Sequence, residues 1–168
     1  MVLYKKEIDS PVGTLTVVCN NDTIINLSFG KDNSEPFFTR YFPDAEFSEE
    51  NALCQNCAVQ LAQYFFGERK TFDLPVQLNG TPYQKNIWNA LLKIPYGKTT
   101  SYAGIATLAG TGSARSAGGA LGQNPVAIVV PCHRVIAANG GLGGFCKGFS
   151  LTGIKQKLLM LERSAINP

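Results

Sequence analysis

The 168-residue sequence contains one histidine and one tryptophan, and acidic residues are nearly absent from its second half. It also lacks any apolar run close to the roughly 20 residues that a membrane-spanning helix requires. The first residues show no signal-peptide pattern. We therefore expect a protein of the cell interior with no membrane contact. A hydrophobic content of 45% at this length indicates one globular domain or two small ones.

No paired set of cysteines typical of a disulfide framework or a zinc site is present in the chain. The five cysteines are Cys19, Cys54, Cys57, Cys132 and Cys146. An odd number without a secretory signal predicts reduced thiols. Cys54 and Cys57 form a CxxC pair, but there is no second pair and the single histidine lies far along the chain, so core packing is favoured over a zinc site. We expect neither a metal nor a cofactor.

Charge is divided unevenly along the chain. Residues 1–78 carry six basic and eleven acidic side chains, a net charge of −5. Residues 79–168 carry nine basic side chains and one acid, Glu162, a net charge of +8. A basic half joined to an acidic half is typical of a protein that presents one face to a polyanion. The alternative interpretation is an ordinary surface of solvated lysines.

Residues 1–78 are predicted to form a small α/β domain. Turn-forming residues separate three short apolar segments, which predicts strands in an antiparallel meander at 3–9, 13–19 and 23–28. Residues 32–48 are predicted to be a loop or a short helix. Residues 51–66 have apolar side chains at helical spacing and predict a helix. This half contains no pattern that indicates catalysis.

Residues 79–168 are predicted to be largely helical. Thr81-Pro82-Tyr83-Gln84 forms a capping box at the start of one helix, and Ser101 and Ser113 begin two more. A glycine-containing turn between the latter two predicts a helix-turn-helix, with strands after Pro125 as a wing. A last helix is predicted to start near Thr152, with a buried stripe of Ile154, Leu158 and Leu161.

The single histidine directly follows Cys132, which follows a proline. The apolar, β-branched residues 128–130 predict a short buried strand that ends at Pro131. Neighbouring side chains of a strand point to opposite faces, so a turn or a bridging water must connect Cys132 with His133. A histidine oriented by a carboxylate raises the thiolate fraction of a cysteine, and Glu162 is the one acid of this half. A buried structural Cys-His pair is the alternative.

The third predicted helix carries glycines along one face. Arg115, Gly118, Gly119 and Gly122 share that face. The other face is predicted to carry Ala114, Ala117 and Leu121. Each interior glycine costs about 1 kcal/mol relative to alanine, so either a protein element packs closely there or a ligand backbone approaches. An arginine heading such a face would suit a helix in a DNA minor groove.

Pro131-Cys132-His133-Arg134-Val135, with Asn124-Pro125-Val126 upstream, resembles the active-site signature of the O6-alkylguanine-DNA alkyltransferases. The resemblance runs from Gly80 to about Glu162. It implies an α/β (α+β) fold, with a ribonuclease H-like domain at 1–78 and a winged helix-turn-helix-like DNA-binding and active-site domain at 79–168. It also implies DNA repair by direct reversal, in which the alkyl group of O6-alkylguanine is transferred once and irreversibly to Cys132.

The implied partner is double-stranded DNA, bound through its minor groove with the O6-alkylguanine flipped out. The resemblance implies a monomer in a prokaryotic cytoplasm or a eukaryotic nucleus. It assigns catalysis to Cys132, His133, Glu162, Asn124 and Tyr102. It assigns DNA binding to Arg115, Tyr102, Ser113, Ala114, Gly118 and Gly119, and the substrate pocket to Val135, Phe145 and Cys146. Residues 146–151 depart from the family pattern, in which small residues usually follow the aromatic one.

Two other functions remain open on the residues alone. A Cys-His-Glu thiol hydrolase would use the same three side chains, but it does not account for the glycine face or the basic half. A non-enzymatic winged-helix DNA-damage binder would typically lack the acceptor cysteine, which is present here as Cys132. Turnover of an ester or amide, or binding of damaged DNA without transfer, would identify these two cases.

Overall fold

The computed structural model describes residues 1–30, 34–143 and 151–166, and the chain divides into two compact units. One unit comprises Met1–Asn79 with Pro125–Ala127, and the other comprises Gly80–Asn124 with Ile128–Pro168. Among the described residues, no helix combines the length and apolar character that crossing a membrane requires.

The first unit is built on a four-stranded sheet in the order β3-β2-β1-β4. Its strands are β1 (Val2–Ile8), β2 (Leu15–Cys19), β3 (Ile24–Phe29) and β4 (Glu46–Glu49). The pairs β1–β2 and β2–β3 are antiparallel, which confirms the predicted meander. β4 lies parallel to β1 and was not predicted. All four of its residues are exposed, so it lacks the apolar alternation that marks a strand in a sequence.

Two helices accompany this sheet, α1 (Glu35–Tyr41) and α2 (Ala52–Phe65). α2 begins at Asn51, whose side chain accepts a hydrogen bond from the backbone N–H of Cys54. Its buried face includes Cys54 and Cys57, and both thiols are fully buried. The predicted packing role of the CxxC pair is thereby confirmed. The segment Pro125–Ala127 joins the sheet through a parallel bridge between Val126 and Leu27.

The second unit contains short helices whose starts are set by side-chain caps. Its elements are α3 (Pro82–Leu91), β5 (Thr100–Ser101), α4 (Tyr102–Ala109), α5 (Ala114–Leu121), a 3₁₀ turn (Cys132–Arg134), β6 (Val135–Ile136) and α6 (Thr152–Ile166). Ser101 and Ser113 cap α4 and α5, and Thr81 with Gln84 forms the predicted capping box of α3. Gly110 ends α4 with a left-handed φ of 71°. The α4–turn–α5 arrangement is the predicted helix-turn-helix.

Residues 128–130 do not form the strand that was predicted. The chain turns at Ile128, whose φ of 70° is an outlier for a β-branched residue. A left-handed conformation costs a non-glycine residue roughly 1–2 kcal/mol, and the fully buried Ile128 side chain helps to hold it. The apolar run therefore reflects burial rather than extended structure.

After Pro125 the described residues contain one short strand, β6, which pairs in parallel with β5. One further prediction about this unit is wrong in detail. The buried face of α6 carries Lys155, Leu158, Leu159 and Glu162 instead of the Ile154, Leu158 and Leu161 stripe. The predicted stripe followed apolar residues, whereas two charged residues occupy the buried positions. Their partners lie elsewhere in the fold, where a sequence pattern does not reveal them.

Candidate active site

Cys132 begins the one-turn 3₁₀ helix that follows Pro131. Its backbone N–H donates to the carbonyl of Val130 at 2.9 Å, and the N–H of Arg134 donates to the carbonyl of Pro131 at 3.1 Å. The Asn124 side chain, through Nδ2, also donates to the Val130 carbonyl at 2.7 Å. Asn124 thus ties down the backbone immediately before the cysteine. The Cys132 side chain lies at the inner end of this turn, with 4% of its surface exposed.

His133 and Glu162 form a buried hydrogen-bonded pair. Nε2 of His133 lies 2.7 Å from Oε1 of Glu162, and both residues have no exposed surface. Burial raises the pKa of Glu162, but hydrogen bonds from His133 and Arg134 outweigh it and lower the pKa to about 2. Glu162 is therefore an ionised acceptor at neutral pH, and the proton of the pair resides on Nε2 of His133.

The other ring nitrogen of His133 is left with its lone pair. Nδ1 is buried and has no hydrogen-bond partner among the described residues. Burial lowers the pKa of His133, against the opposing influence of Glu162, so the ring is neutral at neutral pH. A neutral imidazole fixed through Nε2 is a proton acceptor at Nδ1. Nδ1 makes no direct hydrogen bond to the neighbouring Cys132, so the water bridge between them stays a prediction.

Arg134 was not assigned to the site by the sequence analysis. It is 7% exposed, and its guanidinium forks onto the Glu162 carboxylate, with Nη2 to Oε1 at 2.9 Å and Nε to Oε2 at 3.0 Å. Nη1 donates to the carbonyl of Ile94 at 2.7 Å, and Cζ lies 5.7 Å from the centre of the Tyr96 ring. Glu162 also accepts a hydrogen bond from the backbone N–H of Gly97 at 3.1 Å. The sequence signal for Arg134 was its place in the Pro-Cys-His-Arg-Val segment.

Tyr102 and Lys155 form a second group in this unit. Lys155 is 1% exposed, and its Nζ donates to the carbonyl of Val135 at 2.6 Å and lies 5.9 Å from the Tyr102 ring centre. A Cβ on Gly143 would lie 2.5 Å from the Tyr102 hydroxyl oxygen, so the chain after β6 passes directly over this side chain. Val135 is buried in β6. Phe145 and Cys146, the other predicted pocket residues, lie outside the described residues.

The outer face of α5 carries an arginine and two glycines, and little of the described protein covers it. Arg115 and Gly119 are exposed, and a Cβ on Gly119 would meet no atom of the described residues within 4 Å. A Cβ on Gly118 would meet only the Tyr102 ring, at an ordinary contact distance of 3.7 Å. Packing therefore does not require either glycine, which favours the approach of a ligand. Ala117 and Leu121 are buried as predicted, but Ala114 is exposed because it lies in the first turn, beside the Ser113 cap.

The described residues contain no cluster of three or more His, Cys, Asp or Glu side chains that could hold a metal. What they do contain is a cysteine beside a histidine–carboxylate pair, in a unit whose helix-turn-helix exposes a bare helical face. This arrangement is typical of proteins that use a cysteine nucleophile, and the helical face is typical of a surface that meets nucleic acid.

Two family models cover nearly the whole chain. Residues 3–78 match the ribonuclease-like domain of 6-O-methylguanine DNA methyltransferase, and residues 82–164 match its DNA binding domain. The chain belongs to the 6-O-methylguanine DNA methyltransferase family. The resemblance found in the sequence and the predicted fold class are both confirmed.

Individual relatives agree with the family models over their full length. The methylated-DNA–protein-cysteine methyltransferase of Mycobacterium tuberculosis is 42% identical over 164 residues, which are 97% of this chain and 94% of that protein. The Methanosarcina acetivorans protein of the same name is 39% identical, covering 96% of this chain and 99% of its own. A crystal structure of the Mycobacterium tuberculosis protein in complex with DNA has a TM-score of 0.82 and 39% identity, covering 98% and 94% of the two chains.

Proposed function

We propose that this protein repairs DNA by direct reversal, transferring the alkyl group of O6-alkylguanine in duplex DNA to Sγ of Cys132. The observation that carries the proposal is the buried, neutral His133 beside Cys132. Glu162 fixes its Nε2, and its Nδ1 is left to accept a proton. The names of the relatives, methylated-DNA–protein-cysteine methyltransferases, support the same activity.

The reaction begins with the thiol proton, which passes from Cys132 through a water molecule to Nδ1 of His133. The thiolate then attacks the alkyl carbon, so that the S–C bond forms as the C–O6 bond breaks and its electron pair goes to guanine. The Tyr102 hydroxyl supplies a proton to the base and makes guanine a neutral leaving group, after which the tyrosinate takes a proton from solvent and the His133 imidazolium returns one to solvent. The thioether on Cys132 has no route back to a thiol, so each molecule reacts once.

The α5 face supports a particular mode of DNA binding. Arg115 enters the duplex from the minor groove and occupies the space of the flipped nucleotide. The exposed positions Ser113, Ala114 and Gly119, with the neighbouring Gly118, allow the helix backbone to approach the groove, and Tyr102 contacts the adjacent phosphate. Val135 lines the base pocket. The protein acts as a monomer in the compartment that holds the DNA.

Incubation with a duplex containing one O6-methylguanine tests this function directly. Intact mass and peptide mapping should show one methyl group per protein, on Cys132 and on none of the other four cysteines. Cys132→Ser should accept none while still binding the duplex. A label on Cys146, several turnovers per molecule, or binding without transfer would each contradict the proposal. The last two results would support the hydrolase and the damage binder, respectively.

A further inference from the structure

The two buried charges that meet at the His133–Glu162 pair balance each other. Arg134 carries a positive charge and Glu162 a negative one, and both are joined by the two hydrogen bonds of the guanidinium fork. His133 shares Oε1 of the same carboxylate. A simple histidine–carboxylate pair would not need the arginine to orient the ring. The fork therefore calls for an explanation beyond alignment.

We propose that Arg134 is a positioning residue whose charge cancels that of Glu162, so that the carboxylate aligns His133 while the ring stays unprotonated and able to accept the Cys132 proton. This inference rests on the proposed function of Cys132 and deepens it. Arg134 touches neither the substrate nor the reacting atoms, and it acts through Glu162.

The charge balance follows from counting the states of the buried groups. With Arg134 present, the thiol and the groups joined through Glu162 (neutral imidazole, carboxylate and guanidinium) carry no net charge, and the buried Lys155 adds the same positive charge to every state that is compared. Moving the thiol proton to His133 forms a thiolate and an imidazolium and leaves the sum unchanged. Taking a further proton from solvent would leave one uncompensated positive charge in a buried place, which is unfavourable.

Without the Arg134 charge the balance reverses. The resting site would hold one uncompensated negative charge, and a proton taken from solvent onto His133 would neutralise it. Nδ1 of His133 would then already be protonated and could not accept the Cys132 proton. Arg134 thus lets a buried carboxylate orient a base without protonating it.

Other groups near His133 add to this balance but do not replace it. Lys155 of α6 also lowers the pKa of His133, although its Nζ is engaged with the Val135 carbonyl. Tyr96 lies against the guanidinium, and burial raises the pKa of its hydroxyl, so it stays neutral. Cys132 is the remaining titratable group on the turn. Of the two cations, only Arg134 contacts the carboxylate that holds the ring.

Because His133 is the single histidine of the chain, NMR of histidine-labelled protein reports its titration without assignment. Arg134→Gln should raise the pKa of His133 by at least about one pH unit, because it removes the charge that opposes Glu162. Arg134→Lys keeps the charge and should leave the value close to that of the wild type. Glu162→Gln should move it in the opposite direction.

The double variant Arg134→Gln with Glu162→Gln separates charge from structure, because it leaves no unpaired buried charge. Its His133 pKa should return toward the wild-type value, although all hydrogen bonds of the fork are altered. Equal pKa values in wild type and Arg134→Gln would overturn the inference, and so would a double variant that titrates like Arg134→Gln. Folding of each variant is checked by its thermal transition.

Single-turnover methyl transfer gives the second readout. As the pH is lowered, the rate of Arg134→Gln should begin to fall at a higher pH than the rate of the wild type does. One pH unit below the new His133 pKa, the loss should be about tenfold. The NMR titration needs no DNA, so failure of the proposed function and failure of the proposed role of Arg134 give different results. Absent methylation of Cys132 contradicts the function, whereas normal methylation with an unresponsive His133 contradicts the role of Arg134.

Discussion

Glu162 connects three separate parts of the second unit at the scale of single residues. Its carboxylate accepts from His133, from Arg134 and from the backbone N–H of Gly97. Removing such a buried charge alters alignment and electrostatics together, because the groups that it pairs are also buried. The pKa of the carboxylate is lowered to about 2, so it is ionised throughout the neutral pH range in which repair is measured.

Replacing Glu162 by Gln should slow methyl transfer near neutral pH by about tenfold or more, because the imidazolium that forms with the thiolate loses its counter-charge. Raising the pH should recover part of the rate, since the thiolate then forms without help. DNA affinity should be unchanged. Single-turnover rates against pH measure both effects, with the exposed Glu68→Gln as the matched control. Superimposable curves for Glu162→Gln and wild type would remove Glu162 from the chemistry.

Replacing Arg115 by Ala should slow repair of O6-methylguanine in duplex DNA far more than reaction with the free base. The change removes the side chain that stabilises the flipped state but leaves the Cys132 pocket intact. Arg163→Ala removes the same charge from the exposed surface of α6 and should lower both rates little. Rate measurements on the two substrates decide the point. Equal losses on both would show that Arg115 does not act in flipping.

Site residues of a type that is rare in the second half could be predicted from the sequence. His133 and Glu162 are the single histidine and the single acid of the second half, and the structure places them in contact. Arg134 and Lys155 were not predicted to be buried, because lysine and arginine are almost never fully buried unless they are paired. Their partners lie 28 and 20 residues away in the chain. Such pairs arise from tertiary packing and leave no local pattern.

At the scale of elements, the predictions held where local capping chemistry sets the structure. The starts of α3, α4 and α5 coincide with Thr81, Ser101 and Ser113. The predictions failed where a buried segment is not extended or an extended segment is not buried. Residues 128–130 are apolar and β-branched, yet the chain turns at Ile128, and β4 is a strand with no apolar face. Both cases depend on neighbours that are distant in sequence.

On the outer face of α5, one substitution should have opposite effects on the stability of the protein and on its affinity for DNA. Gly119→Ala places a methyl group where no atom of the described residues lies within 4 Å, so the free energy of unfolding should rise by about 1 kcal/mol. DNA affinity should fall, because the methyl group separates the helix backbone from the groove. Thermal unfolding and duplex binding measure the two effects.

The matched control is Gly153→Ala. Gly153 lies in the first turn of α6 and is exposed, and its Cβ would likewise meet no atom of the described residues within 4 Å. This variant should gain similar stability and bind DNA as the wild type does. A Gly119→Ala protein with unchanged affinity would show that the α5 face does not contact DNA closely.

At the scale of the whole molecule, the second unit carries the positive charge. Of its three buried charges among the described residues, those on Arg134 and Glu162 cancel in an ion pair, and the third is on Lys155. The exposed basic residues that the structure describes in this unit are Lys85, Lys93, Lys98, Arg115, Lys157 and Arg163. The start of α3 is tied to α5, because the Tyr83 hydroxyl lies 2.7 Å from Oγ of Ser116. The helix that carries Lys85 therefore packs against the proposed DNA-binding helix.

The affinity for duplex DNA should fall linearly on a plot of log K against log salt, with a slope of about −0.9 per phosphate contact. Because basic residues of the second unit supply these contacts, Lys85→Gln with Lys98→Gln should make the slope shallower. Arg40→Gln with Lys70→Gln removes two exposed charges from the first unit and should leave it unchanged. Sequence should matter little, since phosphate contacts carry no base information. Titrations of matched duplexes at several salt concentrations give the slope for the wild type and for the two double variants. If the Lys85→Gln with Lys98→Gln variant has the wild-type slope, other groups make the phosphate contacts.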